Sequence, residues 1–535
     1  MAIAGLLCTG MIAAKQTTHG IKRIKLNRNE INRGIMCWST APRHALMQPP
    51  RTSHRMQVNF PLVIRLSIRF FPVLKTASIF ATTYPGRSIE VTPLLELIVG
   101  RINNALFCRT SPHDISRTRP IAAVGLIVFI LWLACPVMGA EFKLAHQQIT
   151  HGPQHHFFGY IGQSLTTPWS GDGRYILSLR TSFHDRMPEP GEPADIVLID
   201  TQQDYRVNQV DQSRAWNFQQ GTMFYWHPKA ADTQFFFNDR DPETNDIFTV
   251  LYDIKQGKRL REYRFDDLSI ANGGVSPTGE FFLAINYGRM AKLRPVTGYP
   301  GATDHTNGAG APDNDGIFRV DIESGKAKLL VSFQQLKQLL NDRHSDIENV
   351  GFYINHSLCN RDGTHVYFYA RARYGDKTMS INVPCSVRTD GTGLKSHKYI
   401  GGHPEWDEGT VVIGAKEDRQ VCYDIERQAI VGQIGTEAII PKPGGDVSLS
   451  TNPDWFVCGY STSDRKHNQY VVYRRSDGAY ARSELFSRGP YQRGVLRIDP
   501  APRWNRDQTA VLVPALTSDG TRQLQLLTIE TQTDP

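Results

Sequence analysis

The stretch Val275-Ser-Pro-Thr-Gly-Glu-Phe-Phe-Leu-Ala-Ile-Asn286 decides the fold. Pro277 fixes its own φ and Gly279 accepts a left-handed backbone, so Ser-Pro-Thr-Gly reads as a tight turn. The apolar run after it is short and bounded by turn residues, which is the pattern of a buried strand. The same unit recurs along the chain. Pro168-Trp-Ser-Gly-Asp-Gly173 precedes RYILSL, and Trp226-His-Pro228 precedes TQFFFND. Cys359-Asn-Arg-Asp-Gly363 precedes THVYFYA, and Glu405-Trp-Asp-Glu-Gly409 precedes TVVIGA. Leu449-Ser-Thr-Asn-Pro-Asp454 precedes WFVCGY, and Arg503-Trp-Asn-Arg-Asp507 precedes TAVLVPA. A second apolar strand follows each, as in ADIVLIDT from Ala194, IFTVLYDIKQGK from Ile247, GIFRVDIESGK from Gly316 and RQLQLLTIE from Arg522. Seven units of this kind predict an all-β, seven-bladed propeller over residues 142–532, with Phe142–Thr150 supplying the strand that closes the ring. Trp169, Trp226, Trp406 and Trp504 hold equivalent places in the repeat and are expected in the core. The interval from the third unit to the fourth is the longest. It carries a Gly/Asp/Asn-rich loop, Gly298 to Gly316, and an amphipathic helix near Phe333–Leu340, and is expected to be an insertion over one face at about residues 290–350.

Working outward, charge and hydropathy divide the chain. Of 535 residues with a formal net charge of +8, residues 1–119 hold 17 Lys and Arg against 4 Asp and Glu, so the rest is net acidic. A nucleic-acid partner, which needs a basic folded face, is not expected. Residues 1–118 lack periodicity and are expected to be an unstructured basic extension or not native protein. After Arg117 and Arg119 comes the apolar run Ile121–Ala140, IAAVGLIVFILWLACPVMGA. A basic flank, an apolar core and small residues at the end make residues 119–140 a signal peptide, or a signal anchor through 121–140. In both cases the ring is expected to be exported, periplasmic or extracellular, with the membrane touched only through an uncleaved run. Cys359, Cys385, Cys422 and Cys458, all that follow the run, lack CxxC spacing, which argues against a thiolate zinc cluster.

A propeller does not by itself give a function, so the informative residues are polar ones that the repeat does not require. They fall in His155-His-Phe-Phe-Gly-Tyr160, Arg214-Ala-Trp-Asn-Phe-Gln-Gln-Gly221, Phe237-Asn-Asp-Arg-Asp241, Asn355-His-Ser-Leu-Cys-Asn360 and His403-Pro404. Arg214, Gln219, Gln220 and Asn238 are candidate substrate contacts, or supports of the channel wall. Tyr287 and Arg289 end an apolar strand and are expected to point towards one rim, as candidate sugar contacts. His356 and His403 come from successive repeats; two imidazoles with a carboxylate or amide suit one divalent ion, manganese, zinc or calcium.

The HHFFGY, RAWNFQQG, FNDR, SPTGEFFLAINYGR and INHSLCNRDGT stretches resemble the propeller polysaccharide lyases, the ulvan lyases and more distantly oligogalacturonate lyase, over about residues 150–515. The Ser-Pro-x-Gly parts are shared with TolB-like propellers at large. The resemblance implies β-elimination on a uronic-acid-containing polysaccharide or oligosaccharide. A base takes the C5 proton, Arg or a metal neutralises the adjacent carboxylate, and Tyr or His returns a proton to the leaving oxygen. It puts the His on His155 or His156, the Arg on Arg240 and the Tyr on Tyr225 or Tyr287. Some relatives bind manganese through several His and a Gln, and others zinc; Ala501 stands where relatives often carry a His. The other reading is a non-catalytic TolB-like propeller that binds a glycan or a protein. Convergence of His155, His156, Arg240 and Tyr287 on one pocket favours the enzyme.

Overall fold

Alternating apolar strands joined by Gly and Asp turns pair with their neighbours in sequence, and the computed structural model shows sheet after sheet of this kind. It describes residues 63–68, 77–82 and 142–531, apart from 160–164, 307, 344–349, 374–380 and 399. In the N-terminal unit the described residues are two antiparallel strands, Val63–Ile68 and Ala77–Thr82. The rest of the expected extension, and the apolar run 121–140, lie outside the described residues. Among the described residues no helix is long and apolar enough to cross a membrane.

The remainder is all-β in a propeller arrangement of antiparallel sheets. The first sheet is His155–Phe157, Tyr175–Thr181, Ala194–Asp200 and Arg206–Ser213; the second is Tyr225–Trp226, Gln234–Arg240, Ile247–Asp253 and Lys258–Tyr263. The third is Ile270–Val275, Phe281–Asn286, Gly316–Asp321 and Ala327–Ser332. In the fourth, Gly351–Tyr353 and Ser357–Cys359 both pair with His365–Arg373, followed by Ile381–Arg388 and Lys395–Ser396. Nine strands from Gly401 to Ser487 then form one sheet, whose halves meet only at a single parallel bridge, His403 to Asp446. The last sheet is Arg503–Trp504, Ala510–Leu516 and Arg522–Thr531, with Phe142–Gln148 paired along the outer edge of the last of these. The first and last strands of this region thus share one sheet, and the first covers the outer edge of the last.

The repeated tryptophans hold neighbouring units together. All four are buried, and three indoles donate backward to a main-chain carbonyl: Trp226 to Pro168 (2.8 Å), Trp406 to Leu358 (2.7 Å) and Trp504 to Ser448 (3.0 Å). Arg506 of the last sheet donates to the Trp169 carbonyl of the first at 2.9 Å, the same stitch across the closure. The four cysteines after the apolar run are free and buried.

The expected insertion at about 290–350 is too broad. Its middle supplies two strands of the third sheet, so the added chain is split in two. One part begins with the helix Tyr287–Leu293, capped by Asn286, and runs to residue 315. The other begins with the helix Phe333–Leu340, where Ser332 and Gln335 form a capping box.

Candidate functional site

Register assigns the polar clusters to one face of the ring. His155 pairs with Thr181, Ile270 with Asn286, Gly401 with Ala415 and Asp446 with Gly459. Each pair joins the start of an inner strand to the far end of the next, so these positions share a rim. A cavity on this side is lined by His156, Gln219, Arg497, Asp499, Arg503 and Arg522, with Phe218 and Ala501 among the other walls.

His156 is the best-defined chemical group in it. Its Nδ1 lies 3.0 Å from Gln523 Oε1. The Gln523 amide nitrogen donates to the Gln154 carbonyl and the Thr521 hydroxyl, so its oxygen faces His156. An acceptor there assigns the proton to Nδ1 and leaves Nε2 as a bare acceptor. Nε2 is buried and has no hydrogen-bond partner among the described residues. Burial pushes the His156 pKa down to about 4, so the ring is neutral at pH 7. His155 stacks on His184 at 3.9 Å and accepts the Arg522 main-chain N–H at 3.3 Å. Arg522 Nε donates to His184 Nδ1 at 3.3 Å, and the Tyr491 hydroxyl lies 3.4 Å from His184 Nε2. Burial, then His155 and Arg522, take His184 down to about 4. The Arg522 guanidinium sits 4.7 Å from both the Phe218 and the Tyr491 ring, and burial lowers it to about 10, still charged at pH 7.

Gln219 reaches this cavity through a turn that the sequence builds locally. Asn217 Oδ1 accepts the N–H groups of Gln219 and Gln220 at 2.9 and 2.8 Å, and Gly221 closes the turn at φ +60°. Gln219 donates to the Arg497 carbonyl (2.8 Å) and Gln220 to the Asn355 carbonyl (3.2 Å). The amide oxygens of both are buried and unpartnered among the described residues.

Several expected residues are not brought to this cavity. Arg240 is buried beneath the Pro300–Gly301 turn and donates to the Pro300 carbonyl at 2.5 Å. It pairs with neither flanking acid, because Asp239 pairs with Arg259 and Asp241 with Arg264, each at 2.8 Å. Asn238 is fully buried and spent on the Asn272 carbonyl and on the Tyr299 and Thr249 hydroxyls. Tyr287 follows the rim position Asn286 but is covered: it starts the helix Tyr287–Leu293, and its ring is fully buried against Tyr299 at 4.3 Å, its hydroxyl donating to the Asn272 carbonyl. Arg289 is also buried. It ties the inserted segments together through the carbonyls of Phe352, Ala309 and Gly310. Tyr225 is buried in the channel, where burial pushes its hydroxyl pKa up. The Arg214 side chain is exposed, and its main-chain N–H donates to Asp239 at 2.8 Å.

His356 and His403 do converge, with ring centroids 6.0 Å apart. His403 Nδ1, however, lies 2.5 Å from Asp446 Oδ1, whose second oxygen accepts the Ala501 N–H at 2.9 Å. Burial, the largest single effect, raises the Asp446 carboxyl, but His403, the Ala501 N–H and Arg503 together bring the net shift down. That charge then adds to burial in holding Asp499 up. His356 is pushed well down, by burial first and then by the Arg371 cation. Among the described residues no three His, Cys, Asp or Glu side chains are placed to hold a metal ion. As placed, His356 and His403 do not fit one, and the Ala501 side chain adds no donor.

Sequence reasoning missed His184, Tyr491, Arg497 and Arg522. The usable signal was charge on the apolar alternation of the last repeat, where Arg522 opens a strand buried along its first half.

No family model matches the chain, and neither does any curated protein sequence. Among solved structures the chain is similar to an oligogalacturonate lyase in complex with manganese, at 14% identity and a TM-score of 0.49, over 73% of this chain and 97% of that one. It is similar to the oligogalacturonate lyase of Vibrio parahaemolyticus at 12% identity and a TM-score of 0.47, over 72% and 97%. It is also similar to the hydrazine synthase of Kuenenia stuttgartiensis at 8% identity and a TM-score of 0.30, over 69% and 83%. The class that its strands and sheets define is an all-β propeller.

Proposed function

We propose that this chain is a seven-bladed propeller, the nine-stranded sheet counting as two blades joined at one bridge, and a lyase that cleaves uronic-acid-containing glycans by β-elimination at the His156–Arg522 cavity. The observation that carries this reading is the buried His156 Nε2, a bare acceptor in the same cavity as the Arg522 guanidinium. C5 of a uronate is acidic only when the adjacent carboxylate is neutralised, and Arg522, with Arg497 beside it, supplies the positive charge. His156 Nε2 takes the C5 proton. The Tyr491 hydroxyl, held by His184, returns one to the departing 4-linked oxygen. The apolar run 121–140 exports the ring.

A panel of uronate glycans, pectate and ulvan among them, tests this by the ultraviolet absorbance of the unsaturated product, with His156→Gln as control. Product from one glycan, lost in the variant, supports the reading; no product from any refutes it. The binding-module reading has one observation in its favour, since Arg240 and Tyr287 do not meet His155 and His156 in one pocket. Binding to a panel member without product would establish it.

A further inference from the structure

The chain from Arg488 to Pro502 links the nine-stranded sheet to the last sheet and has no strand of its own. Its middle is a loop with tied ends. Arg488 is buried, and its Nε donates to the Ile498 carbonyl at 2.8 Å; Asn468 donates to the same oxygen at 3.1 Å. The Ile498 N–H donates to the Tyr491 carbonyl at 3.0 Å and so closes the loop on itself. The tip, Arg493-Gly494-Val495, is exposed. Beyond its own flanks, residues 490–497 are hydrogen-bonded, among the described residues, to Arg522, Gln219 and His184. Arg522 Nη2 donates to the Leu496 carbonyl, Gln219 donates to the Arg497 carbonyl at 2.8 Å, and the Tyr491 hydroxyl lies 3.4 Å from His184 Nε2. The loop therefore holds to the ring through the groups of the His156 cavity and the histidine stack beside it.

With the loop in this seat the cavity is nearly full. It has about 40 Å³ of internal space, room for a few water molecules. Sites that take a small organic molecule run to about 300 Å³ or more. The Leu496 and Arg497 carbonyls also occupy two donors that a glycan would need. A sugar ring in the cavity and the loop in its present seat exclude one another. Little opposes movement of the loop, since Leu496 packs only half-buried on the core and Val495 is 38% exposed.

We propose that residues 489–497 form a strap that lifts to admit a glycan to the His156 cavity and recloses over it, the Leu496 and Arg497 carbonyls standing in for the glycan's acceptors until it arrives. Lifting frees Arg522 Nη2 and the Gln219 amide, and the incoming carboxylate and hydroxyls replace the two carbonyls. Tyr491 rides on the strap, so its hydroxyl reaches the leaving oxygen only after reclosure, and proton return waits for a seated substrate. The part played in turnover rests on the lyase reading; the opening itself does not, because it is read without turnover.

Gly494 offers a perturbation that touches no cavity residue. It has φ +77°, and a Cβ there would meet no atom within 4 Å, so Gly494→Ala strains the closed strap without a clash. Gly257, in the hairpin between Asp253 and Lys258, has φ +63° and is equally open, so Gly257→Ala is the control for strain elsewhere. The test is modification of His156 by diethyl pyrocarbonate at pH 7 in the full chain, read by tandem mass spectrometry against the exposed His151. His156 is expected to react well behind His151 in the wild type, several-fold faster in Gly494→Ala, and at the wild-type rate in Gly257→Ala. Equal rates in the wild type and Gly494→Ala, or the same acceleration in Gly257→Ala, overturn the strap. If Gly494→Ala does not fold, hydrogen exchange of the wild type decides. Exchange of the 491–498 amides with little dependence on urea supports the strap, and the urea dependence of the Ala510–Leu516 strand overturns it. Faster labelling in Gly494→Ala with no product from any glycan supports the strap and refutes the lyase; product without opening overturns the strap alone.

Discussion

Replacing His156 with Gln isolates the cost of keeping a neutral imidazole in the cavity wall. In the unfolded chain His156 titrates at 6.5, whereas burial holds it at about 4 in the folded protein. Between these values the unfolded state binds a proton that the folded state refuses, so stability falls as pH drops through this window and is level above it. The gap of about 2.5 pKa units, at about 1.36 kcal/mol each, makes the full loss about 3 kcal/mol by pH 4. The side chain is only 3% exposed, so little solvent screening reduces that figure. His184 and His397 are also pushed to about 4 and lose stability in the same window, which is why the comparison must be with a variant and not with pH alone. Urea melts of both proteins from pH 7 to pH 4 should show the wild type losing about 3 kcal/mol more than His156→Gln. A difference independent of pH would refute the assignment of a buried, neutral His156. In the lyase reading the same group sets the acid limb of kcat/KM, which should stay flat down to about pH 4 rather than break near the usual histidine value.

Arg522→Lys keeps a positive charge but loses the fork and the stacking between Phe218 and Tyr491; on a confirmed glycan, kcat should fall about 10²–10³-fold with little change in Tm. Unchanged turnover would remove Arg522 from the reaction. Gly221→Ala forces a Cβ to within 2.5 Å of the Phe158 carbonyl oxygen at φ +60°, so calorimetry should show a loss of about 2–4 kcal/mol. A chain beginning at Ile149 lacks the strand Phe142–Gln148 and leaves the Arg522–Thr531 edge unpaired; it should melt well below one beginning at Glu141 and aggregate, as seen by light scattering.

Much of the ring was legible in the sequence because its signals are local. Ser276-Pro277-Thr278-Gly279 makes its turn with neighbours a few residues away, and Phe281–Asn286 alternates as a strand wherever it packs. The recurring Trp, and the closing strand at Phe142–Gln148, followed from repetition and from the need to cover an edge. The split of the insertion was legible too, in GIFRVDIESGK, but the length of the interval concealed it.

The candidate site was legible only in part, because its contacts are not local. His156 and Gln219 stood out as polar residues that the repeat does not need, yet what makes His156 a bare acceptor is Gln523, 367 residues away and beside it only because the ring closes. Arg522 and His184 meet for the same reason across 338 residues. Arg240, Asn238, Tyr287 and Arg289 read alike in the sequence, as polar or aromatic residues at strand ends. Burial separated them: Asn238, Tyr287 and Arg289 find carbonyls and hydroxyls to satisfy them, whereas Arg240 is left with two N–H groups that nothing around it matches. The sequence by itself determined the strands, the turns and their repetition, since each rests on neighbouring residues. Only the tertiary structure decided which polar groups share a cavity, which are spent on the backbone and which protonation state burial enforces, since desolvation and hydrogen-bond partnership depend on chain segments that folding brings together.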